Sequence, residues 1–308
     1  MYRVQRLLRN RNFILFSALS IGLVWGEGAQ WTERLTLPAL ALVMTLSTMG
    51  VSGSVFRSPR TLLVPALGGI AMNYVLLDGF ILGLNFLLIR DEALRNGFII
   101  LATVPPAVAV IPFTGFLNGN STFSLIGTMG CYLGALIIMP LIALGFLGSS
   151  FVEPLKLFII MIELIIVPLI LSRVLLRTGM AVRIEPIKGV VTNWGFFLIS
   201  YTIVGLNRAI FLGQPLSLIP VAIIAFLSTF FLGFVIEELG SLFRLDPKTV
   251  TSLVLLGTLK NYALAGGLAL AFFSKQAAVP STVSVIFMIT YIIWLGFKMR
   301  WRRRATAA

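Results

Sequence analysis

Histidine is missing from all 308 residues, cysteine occurs once, at Cys131, and acidic residues number 11 against 24 lysines and arginines. A single cysteine cannot close an internal disulfide. Without histidine, neither a Cys/His metal site nor a Ser/His/Asp triad can be assembled. The chemistry of most enzymes is thereby removed, and no cofactor and no metal site is expected. Charge of either sign is also scarce, at 11% of residues, whereas hydrophobic residues make up 58%. Ionised groups are costly in hydrocarbon, so the few charges mark the connections between apolar runs.

What the chain does have is apolar sequence in runs long enough to span a bilayer. They fall at about 13–29, 37–54, 61–89, 97–118, 121–147, 152–176, 190–211, 217–240, 248–272 and 280–299. Ten such runs predict an all-α membrane protein of ten transmembrane helices. The stretch 61–89 is long enough for two helices, but it lacks a turn cluster and its centre, GGIAMNYVLLDGF, is only weakly polar. One tilted helix is expected there. The opening MYRVQRLLRNRN has the positive flank of a signal peptide, yet no clear small-residue cleavage site precedes Gln30, and a retained first helix is expected.

A net charge of +13 would suggest nucleic acid as the partner of a soluble protein. Here the basic residues cluster at the two ends and in alternate loops, which is a topology signal, and no nucleic-acid partner is expected. With the amino terminus in the cytoplasm, 17 of the 24 basic residues fall on the cytoplasmic side, Arg3, Arg6, Arg9 and Arg57 among them. The opposite side holds Arg34, Arg90, Arg95, Lys156, Arg208 and Lys275. The expected location is a multi-pass protein of the cell membrane, an inner membrane in a two-membrane cell, with both termini cytoplasmic. The longest polar connector, RTGMAVRIEPIKG, follows the sixth run, and the chain divides near residue 150 into halves 1–149 and 150–308 of five runs each. An odd number of helices per half makes the two repeats inverted.

The fourth and ninth runs both look interrupted. Pro105, Pro106 and Pro112 remove backbone donors and disfavour helix before each ring, and the ninth run carries GTLKNYALAGG, with Gly257 as its first flexible point. One such break is an ordinary proline kink. Two in corresponding positions are how transporters build ion and solute sites at mid-membrane.

Lys260 lies inside the ninth run, flanked by Thr258, Asn261 and Tyr262. An ammonium at that depth must face a wet cavity, pair with a carboxylate or give up its proton. The candidate partners are Asp78 in the third run and Glu163 in the sixth, with Asn73 and Asn85 as neutral neighbours; Asp78 is favoured because it shares a half with the broken fourth run. The plainer alternative is that Lys260 permanently bridges the two broken helices. Glu27, Glu237 and Glu238 lie near run ends, where an interfacial position suffices.

The stretches ALVMTLSTMGVSGSVFRSPR, GGIAMNYVLL and VPPAVAVIPFTGFLNGNSTFSLIGTMG, with LLGTLKNYALAGGLALAFF as a second anchor, resemble the bile acid:sodium symporter family. That family belongs to the bile/arsenite/riboflavin transporter superfamily, and the similarity covers most of the chain. The resemblance implies ten helices in two inverted repeats, helices four and nine unwound and crossing, and separate core and panel domains. Its sodium ligands do not carry over. The family's fourth-helix Ser-Asn pair falls on Val110 and Ile111, and its ninth-helix glutamate and glutamine fall on Leu256 and Lys260. The neighbouring asparagine is kept as Asn261, and the third-helix glutamine corresponds to Asn73. A fixed ammonium repels sodium, so Lys260 is expected to stand in for the cation.

Together these features lead to the expectation of a secondary transporter of a small anionic organic solute, not an enzyme, working by alternating access without sodium symport. Either a proton is coupled through Lys260 or transport is uncoupled. The solute contacts would come from half-helix amino termini, Lys260, Asn261, Thr258, Tyr262, Asn73, Asn207 and Thr114. The alternative from another class is a non-transporting receptor or scaffold with the same fold. A membrane-embedded enzyme built on Asp78 and Glu163 finds no second motif around either carboxylate.

Overall fold

Leu, Ile, Val, Phe and Ala follow one another with little polar relief, so each apolar run must satisfy its backbone internally, and in hydrocarbon that means helix. The computed structural model describes residues 11–49, 59–107, 109–148, 154–206, 208–213 and 215–307, and helix is the regular structure among them. Arg3, Arg6, Arg9, Arg57, Asn207, the end of the second expected run and the junction at 149–153 lie outside the described residues.

Helix α1 (Arg11–Val24) leads through two short turns to α2 (Thr36–Thr48). Helix α3 (Pro59–Ile70) continues through a π-helical stretch, Ala71–Leu77, into α4 (Asp78–Leu88), so the long third run is one unbroken helix with a widened middle. Helix α5 (Glu92–Thr103) is parted from α6 (Val110–Phe116) by non-helical backbone, and α7 (Ser121–Leu147) follows. Next come α8 (Pro154–Arg177), α9 (Met180–Leu206) and the short α10 (Arg208–Gly213). Helix α11 (Ile219–Phe226) runs through a second π stretch, Leu227–Phe231, into α12 (Leu232–Leu242). Helix α13 (Pro247–Leu256) is parted from α14 (Tyr262–Phe272), and α15 (Val279–Ala307) ends the described chain.

Among the described residues, five helices are long and apolar enough to cross a membrane: Leu62–Leu88, Ser121–Leu147, Met180–Leu206, Ile219–Leu242 and Gln276–Lys298. The other expected runs are helical too, but shorter, interrupted or, in α8, studded with Lys156, Glu163, Arg173 and Arg177.

Short polar side chains start the key helices. Asp91 accepts from the Leu94 N–H at 2.9 Å, Asn120 from Phe123 at 3.0 Å and Asp246 from Thr249 at 3.0 Å, each satisfying a donor that the helix leaves open.

Helices α1, α2, α8 and α9 pack on one another, with Tyr201 donating to the Trp25 carbonyl at 3.0 Å and Thr32 and Thr202 sharing a hydrogen bond at 2.5 Å. The remaining helices surround the interrupted pairs: α5 packs on α7, α14 and α15, and α13 on α6, α7 and α12. Lipid is as apolar as leucine, so close backbone approach does much of the work of association. One such approach is α3 on α7, where a Cβ on Gly69 would lie 2.6 Å from the Gly127 Cα and carbonyl oxygen. Gly69→Leu is therefore expected to force these helices apart and to destabilise the protein by about 1–3 kcal/mol, measured as a lower melting temperature in detergent; an unchanged melting temperature would refute this packing.

Candidate functional site

The two interruptions are built differently and meet. Helix α5 stops at Thr103 because Val104 precedes Pro105 and takes extended backbone, φ −74° and ψ 151°. Pro105 and Pro106, both buried, keep the chain non-helical, and α6 starts after Ala109. Helix α13 stops with no proline. Gly257 ends it at φ −92°, a backbone open to any residue, so what Gly257 supplies is space: a Cβ there would meet Ile236 Cδ1 at 2.7 Å and Met72 Cε at 2.8 Å. The chain re-enters helix at Tyr262, with the Asn261 side chain accepting from the Leu264 N–H at 3.1 Å. Between the breaks, the Asn261 N–H donates to the Pro105 carbonyl at 3.0 Å.

Lys260 closes the junction. Its ammonium donates to the Val104 carbonyl at 2.5 Å and to Asn73 Oδ1 at 2.8 Å, and lies 2.7 Å from Asp78 Oδ1. An ammonium has three donors, and three acceptors surround this one. The Asp78 contact is ionic rather than a directed hydrogen bond, since neither carboxylate oxygen accepts one. Tyr74 presents its ring 4.9 Å from Nζ and donates its hydroxyl to the Cys131 carbonyl at 3.2 Å. Lys260 is 0% and Asp78 1% exposed, so the pair is wholly removed from solvent. Asn73 completes the brace by donating to the Leu256 carbonyl at 3.0 Å, one of the acceptors freed where α13 ends.

A narrow cleft runs along the junction, between α2 and α9 on one side and the two breaks on the other. Met44, Ser200, Ala107, Ala109, Asn261 and Tyr262 are among its lining residues, and its volume of about 40 Å³ has room for a few waters. Asn261 Nδ2 donates to the Tyr132 hydroxyl at 3.1 Å and lies 3.7 Å from the Met44 sulfur, which the Tyr132 hydroxyl also faces at 3.7 Å.

The candidate residues therefore separate. Lys260, Asp78, Asn73 and Asn261 come together at the junction, and Tyr262 borders the cleft. Thr258 donates to the Val254 carbonyl at 2.6 Å, and Thr114 Oγ1 lies 2.7 Å from both the Val110 carbonyl and the Ser124 hydroxyl; both threonines are buried and neither borders the cleft. Glu163 stands exposed on α8, outside the cluster, and Asn85 donates to the Arg95 carbonyl at 3.2 Å, tying α4 to α5. Pro112 is placed inside α6 rather than in the break. Tyr132, Tyr74, Met44 and Ser200 escaped the sequence reading. Only the tyrosines carried a signal: a ring with a polar tip in an apolar run usually has a partner for its hydroxyl. No group of acidic or cysteine side chains arranged to hold a metal ion occurs among the described residues.

No protein-family model matches the chain, and no curated protein matches it.

An uncompensated charge in this setting is far more costly than a missing pair. Lys260→Met alone, which strands Asp78, should lower unfolding free energy by about 3–5 kcal/mol. Combining it with Asp78→Leu should restore most of the loss. Chemical unfolding of the purified variants in micelles measures this, and single-variant losses that simply add in the double variant would rule out direct coupling.

Proposed function

We propose that the chain is a secondary carrier that moves a small anionic organic solute across the cell membrane by alternating access, without sodium coupling. The observation that carries this proposal is the pair of interrupted helices joined at their breaks, by Asn261 to Pro105 and by Lys260 to Val104. Non-helical backbone at membrane depth is tolerated where it is buried in protein or lines a cavity, and here it does both.

In this proposal the chain forms ten spans in two inverted repeats, 1–149 and 150–308. Three correspondences support the repeat. The third run of each half contains a π stretch, the fourth run of each half opens on an aspartate cap, Asp91 or Asp246, and the fourth run of each half is broken. Helices α1, α2, α8 and α9 are the first two runs of each half and would form the panel. The rest would form the core, and the solute would sit in the cleft between them. Both termini would be cytoplasmic, a reading supported by the distribution of basic residues.

The polar contacts left for the solute are Asn261, Ser200 and the first turn of α14, whose dipole favours an anion. Lys260 contributes at second hand. With donors committed to Asn73 and Val104 and its charge matched by Asp78, it acts as a fixed brace, which favours uncoupled transport over a proton shuttled by the lysine. The resemblance to the bile acid:sodium symporter family is consistent with this architecture, and the loss of its sodium ligands with the absence of sodium coupling.

A non-transporting receptor or scaffold is the second reading, and the small volume of the cleft is the observation that favours it. The two are separated by asking which side of the membrane reaches the cleft. With Cys131 replaced by alanine and Ser200→Cys introduced, a membrane-impermeant maleimide should label the protein from both faces of sealed vesicles of known orientation. Labelling from one face only would overturn alternating access.

A further inference from the structure

A much larger cavity, of about 490 Å³ against about 40 Å³ at the junction, lies where α12 hands over to α13, beside the end of α6 and against α15 at Leu295 and Lys298. Its deep wall is apolar and buried: Leu117 and Val254 are each 1% exposed and Leu295 5%. Toward solvent it carries four charged groups of mixed sign, Glu237, Glu238, Arg244 and Lys298.

These four are not equivalent. Lys298 donates to Glu237 and stands 4.8 Å over the Trp294 ring, which holds that side of the rim neutral. Glu238 and Arg244 are exposed and form no ion pair among the described residues.

The backbone at Arg244 is also out of the ordinary. Helix α12 ends with the Arg244 N–H bonded to the Ser241 carbonyl at 3.0 Å and the Leu245 N–H to the Gly240 carbonyl at 2.9 Å. This is the paired closure that usually has glycine in its left-handed position. Arginine occupies it here at φ 53°, a conformation that costs about 1 kcal/mol for a residue with a Cβ. Strain of that kind persists where the side chain is needed.

The geometry points to a second binding site, distinct from the cleft, for a small amphipathic zwitterion of the kind represented by an aliphatic amino acid. Glu238 receives its ammonium, Arg244 its carboxylate, and Leu117, Val254 and Leu295 its hydrocarbon body. One uncommitted charge of each sign sets the selectivity. An anionic analogue meets Glu238 unpaired and a cationic one meets Arg244 unpaired, and each loses a charge-assisted contact.

Three probes with one carbon skeleton test this: leucine, 4-methylpentanoate and 3-methylbutylamine, each titrated into the purified full chain in detergent while the melting temperature is followed. Leucine should raise the melting temperature in a saturable way, and the two charged analogues should require at least about tenfold higher concentration. Glu238→Gln and Arg244→Gln should each weaken the leucine response by at least about tenfold, while Ser200→Cys, in the cleft, leaves it unchanged. No response to leucine, an equal response to either analogue, or a response indifferent to both rim variants overturns the assignment. Loss of the response in Ser200→Cys would transfer binding to the cleft and overturn it as well.

Discussion

An ammonium taken out of water and placed where two helices have come undone must be surrounded by acceptors, and the rest of this molecule is arranged around that requirement. Asn73 and Val104 each accept a bond from Lys260 and Asp78 matches its charge, all three from the third and fourth runs of the chain. The breaks supply what an intact helix could not, because the Val104 and Pro105 carbonyls accept bonds from the ninth run rather than from residues further along their own. Charge, backbone and helix ends thus form one unit. Removing any part leaves another buried without a partner, which makes the unit rigid as well as costly to disturb.

This unit divides the labour at the junction. The fully buried side holds the ion pair; the side toward α2 and α9 presents Asn261, Tyr262 and the small residues Ala107 and Ala109. A lysine that neutralises an internal carboxylate leaves little net field for the cleft beside it. The positive end of a helix dipole reaches the cleft instead at the first turn of α14.

Much of this was legible in the amino-acid sequence, for identifiable reasons. Long apolar runs in a membrane can only be helices, and Pro105 with Pro106 cannot continue one, so the interruption of the fourth run is written in its residue types. Charges inside apolar runs were so few that Asp78 stood out as a partner for Lys260. Thr114 and Thr258 were assigned as lining residues because they are polar and nearby. Their hydroxyls turn onto carbonyls four residues back, the usual refuge of a threonine in an apolar helix. The π stretches Ala71–Leu77 and Leu227–Phe231 left no mark, because one extra residue per turn changes no residue type. Tyr132, Met44 and Ser200 were illegible for another reason: each becomes part of the junction only through contact with a segment far along the chain.

The contact of Met44 with this junction has a mechanical consequence. It reaches α14 and α7 through its thioether, with Asn261 and Tyr132 each 3.7 Å from the sulfur. Sulfur is a weak acceptor on a flexible side chain, and bonds to it give up little when exchanged for water or for another partner. The boundary between α2 and the braced junction is therefore lubricated at its polar centre while the brace itself stays stiff. Such a seam offers low friction to sliding, and the work of parting it falls on dispersion contacts that are individually small and are regained a residue further on.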